Sequence, residues 1–333
     1  MKNKNSPHSR IYKGIDIRIP SIINLVLAIL SISLMVFLLQ LASHNQDWKI
    51  LVFSSVLFSF VGNTAFSLLH EAVHSNFHSN RSINYIFGNI LAAFFPTGFS
   101  FQKRCHLNHH RQNRTDFEMF EAYHDHDNKT LKTMMLYAIL TGVYWTNPPI
   151  GALWLMLSPK SLLTSPFAGG DKNYQVGRMG GAGMLRNFNN LTSKEIVKMR
   201  LEVLFSLVFQ ISLFYFFDLN LLGWLACYIG FAIQWSGLQY ADHAYSVRDI
   251  RDGAWNLKVN PITKAFFLNY HDHLAHHQHP HVPWMYLPKF VEQRRAFWPI
   301  YLRMWKGLMK VDQKSPTPID PQFEALIDKE NFS

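Results

Sequence analysis

The sequence predicts an all-α integral membrane fold: two transmembrane helical hairpins, re-entrant or interfacial helices between them, and a cytoplasmic cap built on histidine boxes. Three observations predict it. Apolar residues make up 48% of the 333-residue chain and gather into runs long enough to cross a bilayer, while only 16% of residues are charged. Short polar loops pair those runs. Three histidine clusters then follow apolar or interrupted-apolar stretches: His70-Glu71-Ala72-Val73-His74, His106-Leu107-Asn108-His109-His110 and His273-Leu274-Ala275-His276-His277.

Residues 1–20 form a basic N-terminal segment with Lys2, Lys4, Arg10, Lys13 and Arg18, which suits the anionic cytoplasmic leaflet. The apolar run behind it is long enough to stay in the membrane, so no cleavable signal peptide is expected. Spanning takes about 20 apolar residues. Residues 22–42 and 50–69 qualify and are joined by a short loop; residues 201–217 and 221–238 form the second pair around Asp218-Leu219-Asn220. A cytoplasmic start returns each hairpin to the cytoplasm, which puts the histidine boxes and both termini there. Between the hairpins, residues 83–98 are barely long enough to cross. One crossing would strand the second box on the far side, so a shallow or re-entrant segment ending at Pro96-Thr97-Gly98 is expected. Residues 134–157 are interrupted by Asn147-Pro148-Pro149, where proline removes amide donors and kinks or ends a helix. They form a bent interfacial half-hairpin or two short crossings. Residues 158–198, with Gly169-Gly170, Arg178, Gly180-Gly181-Ala182-Gly183 and Arg186, read as a cytoplasmic loop rather than a phosphate cradle, because Walker spacing is missing. Residues 21–310 thus make one membrane domain, followed by a polar tail, 311–333.

A net charge of +10 could suggest nucleic acid, but the cations cluster near the ends of apolar runs, Lys194, Lys198 and Arg200 among them, so the membrane surface is the expected partner. Two cysteines exclude a disulfide framework, and with Cys227 inside a span and Cys105 alone outside, thiolate metal ligation is not expected.

Helical residues three and four apart share a face. HxxxH therefore aims two imidazoles one way and HxxHH aims three. Eight convergent imidazoles are too many for one ion and suit two. Imidazole binds zinc, iron, copper and nickel. Iron is selected because redox-inert zinc has no use for so many ligands, whereas two irons can share the four electrons of O2 cleavage and attack an unactivated C–H bond. The remaining histidines read differently. His8 and His44 are solvated, and His124 and His126 lie in a loop. His78 continues the His70/His74 face but drifts by about 40° per four residues. His271, His279 and His281 take hydrogen-bonding or surface roles.

The boxes lie 32 residues apart (His74 to His106) and 163 apart (His110 to His273), with Asn269-Tyr270 before the third and Pro280, Pro283-Trp284 and Leu287-Pro288 after it. In these features the chain resembles the membrane fatty acid desaturase superfamily over residues 50–290. The resemblance implies a three-histidine-box, non-haem di-iron oxidase that uses O2 to introduce a double bond into the acyl chain of a lipid or acyl thioester. Electrons would come from a separate ferredoxin or cytochrome b5 type donor; His279-Pro280-His281-Val282 lacks the His-Pro-Gly-Gly of a fused b5 domain. The implied iron ligands are His70, His74, His106, His109, His110, His273, His276 and His277, with His243 as the ninth. Gln239, one turn before His243, stands where relatives carry an asparagine that reaches iron through water. Ligating imidazoles commonly donate their other N–H to a carboxylate or carbonyl, and Glu71, Asp116, Asp242, Asp272 and Asn269 are candidates for such support. The competing reading for the acids is salt bridging to Arg104, Arg111 or Arg114. Hydroxylation, ketone formation or oxidative decarboxylation of a lipid is the alternative chemistry. A metal transporter is a distant alternative, since transporter ligands belong near the bilayer midplane and these boxes fall at or beyond the ends of the spans.

Overall fold

The computed structural model describes residues 9–45, 47–163 and 191–318. The first two apolar runs fold as one long hairpin, α1 (Ser21–His44) and α2 (Trp48–Val73), the second started by the Asp47 side chain accepting from the Lys49 amide. α2 continues four residues past its expected end, so the first box sits on the last turn of a spanning helix. The second pair is α8 (Ser193–Phe216) and α9 (Leu221–Ala241). α1, α2 and α9 are long and apolar enough to cross a membrane. α8 equals α1 in length but carries Lys194, Glu195, Lys198, Arg200 and Glu202 in its first half, and it is not among the three. It begins eight residues before the expected 201, at a capping box in which Thr192 and Glu195 satisfy each other's backbone amides.

The intermediate stretches are short helices. α3 (Arg81–Ala93) has 13 residues and ends before Pro96. At 1.5 Å per residue it is about 20 Å long, short of a hydrocarbon core about 30 Å thick. α4 (Phe99–Gln112) follows and carries the second box. The 134–157 stretch is broken, but not at its prolines: α5 (Lys129–Leu140) ends before Gly142, a 3-10 turn covers Val143–Thr146, and Pro148-Pro149 open α6 (Asn147–Leu157). Proline is harmless in a first turn, where its missing amide has no helical partner. Gly142 makes the break, with φ of 86° and a virtual Cβ only 2.7 Å from the Ile233 amide nitrogen. A four-residue α7 (Lys160–Leu163) closes that segment.

The all-α expectation needs one correction. Three two-stranded pieces are present: an antiparallel hairpin of β1 (Ser9–Tyr12) and β2 (Ile15–Arg18), and parallel pairs of β3 (Ala122–Tyr123) with β6 (Met309–Lys310) and β4 (Leu257–Lys258) with β5 (Arg295–Ala296). The first structures the N-terminal segment. The others tie the C-terminal residues back onto the cap, which alternating short strands do without any long apolar signal. The glycine-rich stretch with Gly169, Gly170, Arg178, Gly180 and Arg186, and also Lys2, Lys4, His8 and the tail beyond 318, lie outside the described residues.

Polar residues inside the helices hold the cap in place. Asn24 of α1 donates to the carbonyl of Phe77 (2.9 Å) and accepts from the Trp284 indole (3.0 Å). Thr64 and Ser67 of α2 donate to the carbonyls of Phe266 (2.6 Å) and Phe267 (3.1 Å). These carbonyls sit at the end and C-cap of α10 (Pro261–Phe266), which leads into α11 (His273–Gln278), so α2 fixes the third box against the first. α12 (Phe297–Met304) packs on α9 from outside.

Candidate metal centre

Each box reaches the centre by a different local route. His70 and His74 occupy the last turn and C-cap of α2, and His106, His109 and His110 lie on the second half of α4. His273, His276 and His277 lie on α11, and His243 stands two residues past the end of α9. The nine imidazoles then sort into two groups: His70, His74, His106, His110 and His276 in one, and His109, His243, His273 and His277 in the other. Within each group the potential ligand atoms all lie within 4.8 Å of one another. Every sequence-predicted ligand falls in one of them, and none of His44, His78, His124, His126, His271, His279 and His281 does. The sequence reading missed this division. It splits the second and third boxes internally.

The separations fit a cation. Nε2 of His106 lies 2.8 Å from that of His74, and Nε2 of His110 lies 2.9 Å from His106 and 3.0 Å from His276. In the other group, Nε2 of His243 is 3.2 Å from His109 and 2.9 Å from His273. Two nitrogens bound at ~2.1 Å to one ion at right angles are roughly 3 Å apart. Lone pairs facing each other at this range repel unless a proton or a metal lies between them. His277, whose two ring nitrogens are buried, and His70 Nε2 make no hydrogen bond among the described residues, which fits side chains that would ligate a cation. Burial, followed by the repulsion of neighbouring imidazoles, holds His74, His106, His110, His243, His273, His276 and His277 well below the usual histidine range. They are therefore neutral at physiological pH, with a lone pair to give.

The support around the ligands is only partly the one expected. His243 Nδ1 donates to the Gly253 carbonyl at 2.9 Å, which fixes the tautomer and leaves Nε2 for a metal. Asp242 is fully buried, with oxygens 3.6 Å from His273 Nδ1 and 3.7 Å from His243 Nε2, and burial pushes its carboxyl well up. A bound cation would reverse that direction. Glu71 accepts from the Trp284 amide at 3.2 Å and Asn269 donates to the Trp284 carbonyl at 3.2 Å, so both hold the segment after the third box. Gln239 accepts from the Tyr270 hydroxyl at 2.8 Å. Asp116 and Asp272 are in ion pairs, but with Arg248 and Arg294; the second is bidentate, at 2.7 and 2.8 Å. Asp116 also takes His124 at 3.1 Å, which gives that loop histidine a partner. His78 accepts from the Asn80 amide at 2.9 Å, a turn contact.

Sequence reasoning also missed Glu118, 3.4 Å from His109 Nδ1. It missed the Arg114–Glu121 pair, buried at 2.8 Å and bonded to the Tyr240 hydroxyl and the Tyr245 amide. Arg114 pulls the Glu121 carboxyl down to about 2 against the opposing effect of burial. Neither acid has a spacing that marks it.

Beside the two groups lies a cavity of about 180 Å³. It touches His106 of one group and His109, His243 and His273 of the other, and Phe66, Phe120, Tyr144 and Trp235 line its apolar side. Residues 46–307 match the family model described as fatty acid desaturase. No curated protein matches the chain.

Proposed function

The chain belongs to the fatty acid desaturase family, and from that footing we propose that it is an O2-dependent membrane oxidase that introduces a double bond into a fatty acyl chain of a lipid or acyl thioester. Two irons are held, one by the group of five imidazoles and one by the group of four. Iron bound there would supply, with O2, the oxidising power that amino-acid side chains lack. The observation that carries the reading is the division of nine imidazoles into two adjacent groups that share one cavity.

The chain's own residues do the rest. Phe66, Phe120, Tyr144 and Trp235 offer an apolar wall on which methylenes can lie, and burial of the boxes keeps bulk water from the reacting atoms. Which carbon is oxidised follows from which hydrogen the cavity presents, since proximity at fixed orientation sets the rate. Electrons come from a separate donor of ferredoxin or cytochrome b5 type. The boxes and both termini face the cytoplasm, where such donors are found.

Mass spectrometry of lipids from cells expressing the wild type and His276→Ala tests this. A new unsaturated acyl chain, lost in the variant, is expected. A product heavier by one oxygen atom would move the assignment to hydroxylation, and unchanged lipids around an iron-loaded wild type would remove the oxidase reading.

A further inference from the structure

The wall that α9 gives to the cavity carries polar groups that plain methylenes cannot satisfy. Trp235, Ser236 and Gln239 all line it. Trp235 and Ser236 are 7% and 0% exposed, and the indole nitrogen and the hydroxyl are both buried without a hydrogen bond among the described residues. Elsewhere the indoles of Trp224, Trp255 and Trp284 find acceptors at 3.2, 2.8 and 3.0 Å. Gln239 Oε1 is taken by Tyr270, which leaves the amide N–H pair as its remaining function. An indole N–H and an amide N–H2 can only donate, and a hydroxyl can. Leaving a buried donor unmet is costly, and an all-carbon chain lying against Trp235 and Ser236 would do so.

Ser236 and Gln239 lie three apart and share one face of α9, with Trp235 one turn from Gln239 on its flank and His243 two residues past the end of the helix. From Ser236 to the end of α9 at Ala241 the helix rises roughly 8 Å. We infer that the substrate carries an oxygen acceptor, a hydroxyl or a carbonyl, which seats against Trp235, Ser236 and Gln239 within two turns of the metal ligands. The oxidised carbon is then set by its distance from that oxygen, and the enzyme selects oxygenated lipid chains over bare ones. This rests on the cavity being the substrate site.

The test is binding of three matched probes (hexadecane, hexadecan-2-ol and hexadecan-2-one) to the purified full chain in nanodiscs, by calorimetry. An oxygenated probe should bind about tenfold more tightly than hexadecane, the value of one satisfied buried donor. Trp235→Phe and Gln239→Leu should remove most of that preference, and the near-isosteric Ser236→Ala should reduce it even if a larger change disturbs folding. The better of the alcohol and the ketone identifies the oxygen. Equal affinities corrected for partitioning, or a preference unchanged in all three variants, would overturn the inference. An intact preference without any oxidised lipid in cells would count against the desaturase assignment instead, and a desaturated product without preference would leave that assignment standing.

Discussion

At the scale of single residues, the decisive feature is that neighbours in sequence fall in different imidazole groups. His276 and His277 are about 100° apart on α11, as are His109 and His110 on α4, so each adjacent pair splits between the groups. His276→Ala and His277→Ala should therefore each lower bound iron from about two per chain towards one, measured by elemental analysis, by emptying different positions. His124→Ala, at a residue paired with Asp116 away from both groups, should leave iron content unchanged. The ligand residues were legible because imidazole spacing is local. Their division was not, because it depends on the angle at which α4 and α11 meet α2. Acid should act on the same side chains. Half-burial, then the charges of Lys13 and Arg251, lower His279 from 6.5 to about 4, and burial moves His276 and His277 in the same direction. A group whose folded pKa lies below its unfolded value leaves stability intact above the unfolded pKa and erodes it below. In chelator-treated protein the melting temperature should fall as pH drops from 6.5 towards 4, and a flat profile across that window would contradict the neutral-imidazole centre.

At the scale of elements, close helix contact holds the scaffold. Between lipid tails there is no hydrophobic drive to association, so helices pack through small residues. A Cβ on Gly230 of α9 would lie 2.4 Å from Ser55 Oγ and 2.9 Å from the Ser55 carbonyl of α2. Gly230→Val should force these helices apart and lower both folded yield and melting temperature, read by fluorescence-detected size exclusion. In the cap, Glu121→Gln leaves Arg114 charged and buried without its partner, a loss of about 3–5 kcal/mol by precedent for broken buried pairs. Because Arg114 depresses Glu121 from 4.5 to about 2, the wild-type contribution should persist above pH 4.5 and fade as pH falls from there towards 2. The long helices were readable from apolar length alone. The start of α8 was missed although Thr192-Ser193-Lys194-Glu195 is a cap sequence, because its charged first half carries no span signal. The Arg114–Glu121 knot and the β3–β6 pair were unreadable for another reason: their partners meet only after distant segments have folded.

At the scale of the whole molecule, sidedness decides whether the separate pieces form an enzyme. The ends of α1 and α8 meet at one pole, where His44 Nε2 lies 3.3 Å from the Phe217 carbonyl, and Asp47 and Asp218 stand on the loops there. The boxes gather at the other pole, where Lys13 and Arg251 lie on turns, Arg18 ends β2 and Arg81 opens α3. Lys and Arg in short loops bias a membrane protein to keep those loops cytoplasmic. Composition thus favours the placement that a cytoplasmic electron donor requires. Cysteine labelling in sealed right-side-out cells examines it directly, in a background where Cys105 and Cys227 are replaced. Lys49→Cys and Asp218→Cys should react with an impermeant maleimide from outside, whereas Arg81→Cys and Glu292→Cys should react only after permeabilisation. If α8 failed to cross, Asp218 would be shielded with the box-side positions, and α9 would have to bring His243 to the opposite leaflet from His273. Those two nitrogens are 2.9 Å apart, so labelling at Asp218 and the second imidazole group stand or fall together.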